Sequence, residues 1–161
     1  MRAAACLLLA LATAPAQTPG GFFESAGVGF RGTSAEQQLF WKPHIEASPH
    51  EPATAFAAFD GHRTGDFATY FYRTDDYGES WTGIAPENME GWARVITQDP
   101  VAPGLLFAGT ERGLWISVDG GSAWARFESG LPAHVPVHDV NIHPRDHDLV
   151  IGTHGRGAWI L

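Results

Sequence analysis

The chain has 161 residues, enough for one domain with a substantial core, and a formal net charge of −8 at pH 7. Its ten Lys and Arg residues are scattered, which argues against a nucleic-acid partner because phosphate binding depends on clustered basic side chains. Nineteen Gly and eleven Pro residues interrupt every candidate helix, and the apolar runs between turn signals are short. The composition therefore predicts an all-β fold.

Residues 1–16 are predicted to be a secretory signal peptide. Arg2 precedes an apolar run from Ala3 to Ala14, and Ala14-Pro15-Ala16 has the small-x-small form of a cleavage site. The run is shorter than the ~20 residues needed to cross a bilayer, so no membrane anchor is expected and the mature chain is expected to be secreted or periplasmic. The only cysteine, Cys6, lies inside this segment, which leaves the mature chain without a disulfide.

Residues 17–40 form a poorly defined N-terminal segment, and the clear pattern begins at about residue 41. One eight-residue motif occurs twice, 43 residues apart, as Thr74-x-Asp76-x-Gly78-x-x-Trp81 and Ser117-x-Asp119-x-Gly121-x-x-Trp124. Each copy supplies what a tight hairpin turn needs: an Asp carboxylate to accept turn amides, a Gly free to take positive φ and a Trp that returns to the core. The motif residues are therefore predicted to be structural.

Short apolar strands recur in the same order around both motifs. A spacing of 43 residues fits one four-stranded propeller blade, which takes roughly 40–45 residues. The sequence predicts two full blade-like units at about 41–90 and 91–134, and a partial third at 135–161. Propellers usually close with four or more blades, so we expect an incomplete propeller. Either the chain is a fragment of a larger propeller, which we prefer, or several chains assemble to close one.

The first unit contains eight extra residues. Three of its residues precede their counterparts by 51 positions rather than 43: Pro49, Pro52 and Phe56 against Pro100, Pro103 and Phe107. The extra residues fall between Ala58 and Tyr70, in a polar stretch that predicts an enlarged hairpin loop. This stretch contains the candidate site residues Asp60, His62, Arg63 and Asp66. Paired carboxylates beside His and Arg suit acid–base chemistry on a glycoside, whereas the simpler alternative is a solvated hairpin tip.

The two motifs resemble the Asp-box, or BNR, repeats of sialidase-like and sortilin-like β-propellers. Residues 41–161 are most similar to secreted bacterial proteins called "glycosyl hydrolase, BNR repeat", which share the elongated loop and a closing Thr-His-Gly-Arg run, here residues 153–156. The resemblance implies a β-propeller with a glycan or protein ligand and no cofactor. It also implies that Arg156 could contact an anion near the central channel, although a salt bridge at the strand end is the simpler expectation.

The C-terminal third is rich in histidine. It contains His134, His138, His143, His147 and His154. These residues lie beside turns and prolines, so no helical i, i+4 arrangement is available, and no cysteine accompanies them. No metal site is expected.

Three functions remain open at this stage. The preferred hypothesis is a secreted, non-catalytic propeller segment that serves as a glycan- or protein-binding scaffold within a larger molecule. The second is part of a glycoside hydrolase whose catalytic carboxylates are shared between blades, with Asp60 and Asp66 as the local candidates. The third is a propeller that assists the assembly of another exported protein.

Overall fold

The computed structural model describes residues 43–161, so the predicted signal peptide and the segment 17–40 lie outside the described residues. Eleven strands follow one another: β1 (His44–Ala47), β2 (Ala55–Phe59), β3 (Tyr70–Thr74), β4 (Thr82–Gly83), β5 (Ala93–Gln98), β6 (Leu106–Thr110), β7 (Gly113–Ser117), β8 (Ala125–Phe127), β9 (Val137–Ile142), β10 (Leu149–Thr153) and β11 (Ala158–Ile160). A single 3-10 turn, His62–Thr64, interrupts them, and no α-helix occurs between residues 43 and 161. The predicted all-β fold is confirmed.

The strands form three antiparallel sheets in chain order. Sheet 1 contains β1 to β4, sheet 2 contains β5 to β8, and sheet 3 contains β9 to β11. The first strands of the three sheets, β1, β5 and β9, lie side by side. Strand β5 contacts both β1 and β2 of sheet 1, and β9 contacts both β5 and β6 of sheet 2. This is the arrangement of consecutive propeller blades. Two full units and a partial third, the predicted incomplete propeller, are confirmed.

Sheet 2 is buried on both faces because its apolar side chains alternate. Leu106 and Ala108 pack towards sheet 1, and Phe107 between them packs towards sheet 3. A second alternation occurs in β5, where Ile96 faces sheet 1 and Val95 faces sheet 3. Burying a large aliphatic or aromatic side chain stabilises a fold by about 1.5–3 kcal/mol. The two interfaces between sheets are therefore the core of the molecule.

Successive hairpin connections lie at opposite ends of the sheets, because each strand runs antiparallel to its neighbour. The end that we call the loop end carries the β2–β3, β6–β7 and β10–β11 connections, at residues 60–69, 111–112 and 154–157. The two motif turns, β3–β4 and β7–β8, lie at the other end, which we call the motif end. The β2–β3 connection is longer than its β6–β7 counterpart by the eight residues that the sequence offset predicted.

Candidate functional site

The first motif turn is closed by its own side chains. The Asp76 carboxylate accepts hydrogen bonds from the Ser80 N–H at 2.9 Å and from the Thr74 hydroxyl at 2.7 Å, and the Thr74 hydroxyl accepts one from the Gly78 N–H at 2.9 Å. Gly78 has a φ of 87°, a conformation that strains other residues. Bonds from the Ser80 hydroxyl and N–H, followed by the Thr74 hydroxyl, lower the pKa of Asp76 to about 2.

The second motif turn repeats this arrangement. Asp119 accepts hydrogen bonds from the Ala123 N–H and the Ser117 hydroxyl, both at 2.8 Å, and the Gly121 N–H bonds the Ser117 hydroxyl at 2.8 Å. The Ala123 N–H is the main cause of a lowered Asp119 pKa. The carboxylates of both motif turns are thus held in place by bonds within the turn.

The two motif tryptophans lie in or beside the core. Trp81 is 3% exposed. Trp124 packs against the cluster between sheets 1 and 2, and its indole N–H donates to the main-chain oxygens of Ile84 at 2.7 Å and of Gly121 at 3.1 Å. Trp124 therefore connects the second motif turn to the preceding sheet.

At the loop end, the insertion (residues 60–69) folds back on itself. The Thr64 and Asp66 N–H groups both donate to the Gly61 carbonyl, and Gly65 closes the 3-10 turn with a φ of 86°. The Thr69 hydroxyl then contacts the carbonyls of Met89 and Gly91, at 3.0 and 2.6 Å. The insertion is thereby anchored to the connection that leads from sheet 1 into sheet 2.

Asp60, a candidate catalytic residue, lies at the base of the insertion with its side chain 3% exposed. One carboxylate oxygen accepts hydrogen bonds from the His62 N–H at 2.9 Å and pairs with the His62 Nδ1 at 2.6 Å. The other oxygen pairs with the Arg94 guanidinium at 3.1 Å. Arg94 also bonds Glu111 at 2.7 Å. Both oxygens of Asp60 are therefore engaged within the protein.

Trp92 contacts this ion-pair network and is the centre of a group of aromatic rings. The His62 ring stacks on Trp92 with ring centroids 4.8 Å apart and an interplanar angle of 15°. The Phe67 ring lies 5.7 Å from Trp92, and the Arg94 guanidinium carbon lies 5.5 Å from the centroid of its ring. Phe67 is 63% exposed, although large apolar side chains are usually buried. We call Asp60, His62, Phe67, Trp92, Arg94 and Glu111 the Trp92 cluster.

Asp66, the second candidate carboxylate, is also bonded. It accepts hydrogen bonds from the Tyr70 hydroxyl at 2.9 Å and from the Ala68 N–H at 3.1 Å. Partial burial of Tyr70, together with its bond to Asp66, raises the Tyr70 pKa to about 12. A cavity of about 440 Å³ adjoins Tyr70 and is lined mainly by apolar and aromatic side chains, including Phe67 and Met89.

The remaining ligand candidates are spread over the loop end. Arg63 lies on the exposed 3-10 turn of the insertion. Arg156 lies in the exposed β10–β11 turn, which is at the same end of the sheets but two sheets further along the chain. The structure thus brings Asp60 and His62 into direct contact and places Arg156 in a different blade.

The histidines of the C-terminal third make separate local contacts. The rings of His138 and His154 stack with centroids 5.3 Å apart, His143 pairs with Asp146 at 3.3 Å, and the His134 Nδ1 lies 3.2 Å from the Arg126 guanidinium. No group of three or more His, Cys, Asp or Glu residues suited to a metal ion occurs within residues 43–161. The same part of the chain contains no helix that is long and apolar enough to span a membrane.

Three members of the Trp92 cluster do not stand out in the sequence. Trp92, Arg94 and Glu111 belong to the second repeat or to the connection before it, so no local motif groups them with the insertion. Only the packing of sheet 2 against sheet 1 brings Arg94 to Asp60, which is 34 positions away. The one sequence feature that points to this cluster is the eight-residue insertion in the first unit.

Comparisons with known proteins show the fold. No family model and no curated protein sequence matches the chain. Among solved structures it is similar to a GH74 enzyme from Niastella koreensis, at a TM-score of 0.60 and 16% identity over 76% of this chain and 21% of that one. It is also similar to an ancestral GH74 enzyme, at a TM-score of 0.55 and 17% identity over 68% and 16% of the two chains. It is similar, too, to a GH74 xyloglucanase from Xanthomonas campestris, at a TM-score of 0.53 and 15% identity over 68% of this chain and 18% of that one.

These neighbours are β-propeller proteins, and the chain spans about a fifth of their length or less. At this level of identity the similarity concerns the fold alone. The chain is a set of β-propeller blades, two complete and one partial.

Proposed function

We propose that the chain is a secreted segment of a larger Asp-box β-propeller that binds a glycan or protein ligand at its loop end without catalysing a reaction. The observation that carries the proposal is the Trp92 cluster, in which an inserted loop places the exposed Phe67 beside Trp92, the ring that Arg94 also contacts. Loops carried on a rigid scaffold are common binding sites. Secretion rests on the predicted signal peptide, and sequencing the N-terminus of the exported chain would test it.

The chemistry of the cluster suits recognition. Aromatic side chains contribute a large contact area at low entropic cost, and Trp, Tyr and Arg are frequent among the residues that dominate binding energies. The apolar cavity beside Phe67 has the volume of a small-molecule pocket, about 440 Å³. A sugar ring or an aromatic peptide side chain could lie against Phe67, while the polar groups of the insertion orient it.

The state of the carboxylates supports binding over catalysis. Asp60 is buried, and both of its oxygens are paired, with His62 and Arg94. Asp66 is bonded to Tyr70 and to a main-chain N–H. A glycosidase needs one carboxyl group to protonate the leaving oxygen and another to act as base or nucleophile, and both must reach the substrate. The two acids of the insertion are better explained as residues that shape the loop.

A binding screen with two variants tests the proposal. The exported chain is applied to arrays of oligosaccharides and of extended peptides, and the hits are measured by calorimetry. Phe67→Ala is expected to weaken binding at least about tenfold, because it removes an aromatic side chain from the centre of the contact. The control is Tyr77→Asn at the motif end, which removes a 58% exposed aromatic ring at a φ of 61° that Asn tolerates.

Two outcomes would contradict the proposal. Equal loss of affinity in the Phe67 and Tyr77 variants would place the ligand elsewhere or reflect non-specific adhesion. Turnover of an oligosaccharide by the chain that disappears in Asp66→Asn would favour the hydrolase alternative. In that case the catalytic carboxylate would be one that the proposal assigns to loop structure.

A further inference from the structure

The third sheet has one face on which no other described sheet packs. The strand register places six residues on this face: Asp139, Asn141, Val150, Gly152, Ala158 and Ile160. Ile160 is 70% exposed, and Asp139, Asn141 and Ala158 are also exposed. The other face of the same sheet packs against sheet 2 through Val140 and Ile151. We call the first of these the exposed face.

Equivalent faces of sheets 1 and 2 are covered by the next sheet along the chain. His44 pairs with Ala58 in sheet 1, as Val95 pairs with Gly109 in sheet 2 and Asp139 with Gly152 in sheet 3. Two residues further along the first strand, the matching pairs are Glu46 with Phe56, Thr97 with Phe107, and Asn141 with Val150. The exposed face is therefore the third copy of a surface that is buried twice within this chain.

In both buried copies, the first strand uses side chains to bind main-chain groups of the next first strand. The His44 Nδ1 accepts a hydrogen bond from the Ile96 N–H at 3.4 Å, and a Glu46 carboxylate oxygen accepts one from the Gln98 N–H at 2.9 Å. One sheet later, the Thr97 hydroxyl donates to the Val140 carbonyl at 3.1 Å. These contacts bind main-chain groups of β5 and β9 on the outward edge of each strand, by which we mean the edge that does not pair with the second strand of its sheet.

The third copy keeps this polar capacity. Asp139 and Asn141 occupy the positions of His44 and Glu46. At present they bond each other, through the Asn141 amide and an Asp139 oxygen at 3.2 Å. A carboxylate accepts main-chain N–H groups, and an amide can accept an N–H or donate to a carbonyl.

We propose that the exposed face binds a further blade of this repeat, and that Asp139 and Asn141 hold the outward main-chain groups of its first strand. The inference rests on the proposed function only in treating the chain as a segment of a larger propeller. It goes beyond that function by naming the docking surface, the residues that recognise the next blade and the groups they bind.

Continuity with the two interfaces inside the chain favours a blade over a second copy of the same face. Two exposed faces packed on each other would place two Asp139 carboxylates in one interface without bringing main-chain N–H groups to them, and burying unpaired like charges is destabilising. A following first strand instead offers N–H donors to the same carboxylate. Val150, Ala158 and Ile160 provide the apolar part of the interface, as Phe107 and Leu114 do in sheet 2.

A tandem variant tests the docking. Leu161 is replaced by a second copy of residues 117–161, which continues sheet 3 with a motif turn that includes Ser117 and with β8, and then adds a second copy of β9 to β11. By equivalence with Ile96 and Gln98, the N–H groups of the added Val140 and Ile142 should meet the original Asp139 and Asn141. Amide hydrogen exchange, measured by NMR, reports these bonds residue by residue.

We expect both added amides to be protected, and the double substitution Asp139→Ala and Asn141→Ala in the original copy to make them exchange at least about tenfold faster. The control is Asp148→Ala, which removes an exposed carboxylate from the β9–β10 turn and should leave their exchange unchanged. An added strand without protection would overturn the docking. Protection that persists in the double variant would overturn the role of the pair.

Two further measurements keep the proposal testable where the tandem variant does not fold. In the natural chain, Glu46→Ala should accelerate exchange of the Gln98 amide, since the same kind of contact is already present there. An unchanged rate would remove the basis of the inference. A molar mass of the natural chain that rises with concentration, and that stays at one chain in Ile160→Asp, would show that a second copy covers the exposed face and would overturn the choice of occupant. Neither result depends on ligand binding at the insertion, so the two proposals can fail separately.

Discussion

Gly109 offers a sharp test of how closely sheets 2 and 3 pack. A Cβ atom at this position would lie 2.6 Å from the Val95 Cγ1, 2.7 Å from the Val137 Cγ1 and 2.9 Å from the Val137 carbonyl oxygen. All three distances are shorter than van der Waals contact, and the carbonyl cannot rotate away as a flexible side chain can. Gly109→Ala therefore forces the two sheets apart or distorts the strand.

Gly152 is the matched control because it occupies the same position in sheet 3, opposite Asp139. A Cβ there would lie 3.2 Å from the Asp139 Cβ, on a residue exposed to solvent that can shift by a few tenths of an ångström. The two substitutions change the unfolded chain in the same way, so their difference isolates packing in the folded state. Overpacking of a core typically costs about 1–3 kcal/mol.

The measurement is urea unfolding followed by tryptophan fluorescence for the natural chain and both variants. Gly109→Ala is expected to lower the free energy of unfolding by about 1–3 kcal/mol more than Gly152→Ala does, with similar m-values. Equal free energies for the two variants would refute the reasoning. Such a result would mean that the interface yields readily at Gly109, or that sheet 3 is not held against sheet 2 at this distance.

Three further predictions concern single side chains. Because the Asp76 pKa is lowered to about 2 in the folded chain, the Asp76 carboxylate contributes fully to stability above pH 3.8, and this contribution is lost as the pH falls towards 2. Unfolding measured against pH in acid should show the loss for the natural chain and not for Asp76→Asn. The Tyr70 pKa is raised to about 12, so the neutral Tyr70 hydroxyl contributes to stability below pH 10, and this contribution is lost between pH 10 and 12. Unfolding measured against pH should show the loss for the natural chain and not for Tyr70→Phe. Trp124→Phe removes the indole N–H that bonds the Ile84 carbonyl and should lower the free energy of unfolding in urea by about 1 kcal/mol, whereas a change near zero would show that the bond contributes nothing.

The sequence predicts those parts of the fold that depend on local chemistry. The repeated Asp, Gly and Trp spacing locates two hairpin turns, and hairpin turns largely determine which strands pair. The change of offset from 51 to 43 residues locates the insertion because loop length is a matter of counting. Fold class and the number of units were therefore predictable from the sequence.

The candidate site was less predictable because it is formed by contacts between repeats. The polar residues of the insertion were visible, but the partner of Asp60 is Arg94, on the first strand of the next sheet. Trp92 belongs to a connection with no motif of its own, and only the packing of sheet 2 against sheet 1 stacks it on His62. A lone Asp beside a His is compatible with catalysis or with structure, and the choice depends on burial, which a sequence does not give.

The three related faces differ in how they are covered. At the first position the residue changes from His44 to Val95 to Asp139, and at the second from Glu46 to Thr97 to Asn141. Of the two fully polar pairs, His44 with Glu46 is partly buried under sheet 2, whereas Asp139 with Asn141 has no covering sheet in the described part of the chain and is exposed. Within residues 43–161, sheet 3 therefore buries the least apolar surface on its following face, and β11 should be among the first strands to open. An added blade would cover residues of all three strands of sheet 3, which ties the docking of the next repeat to the local stability of this one.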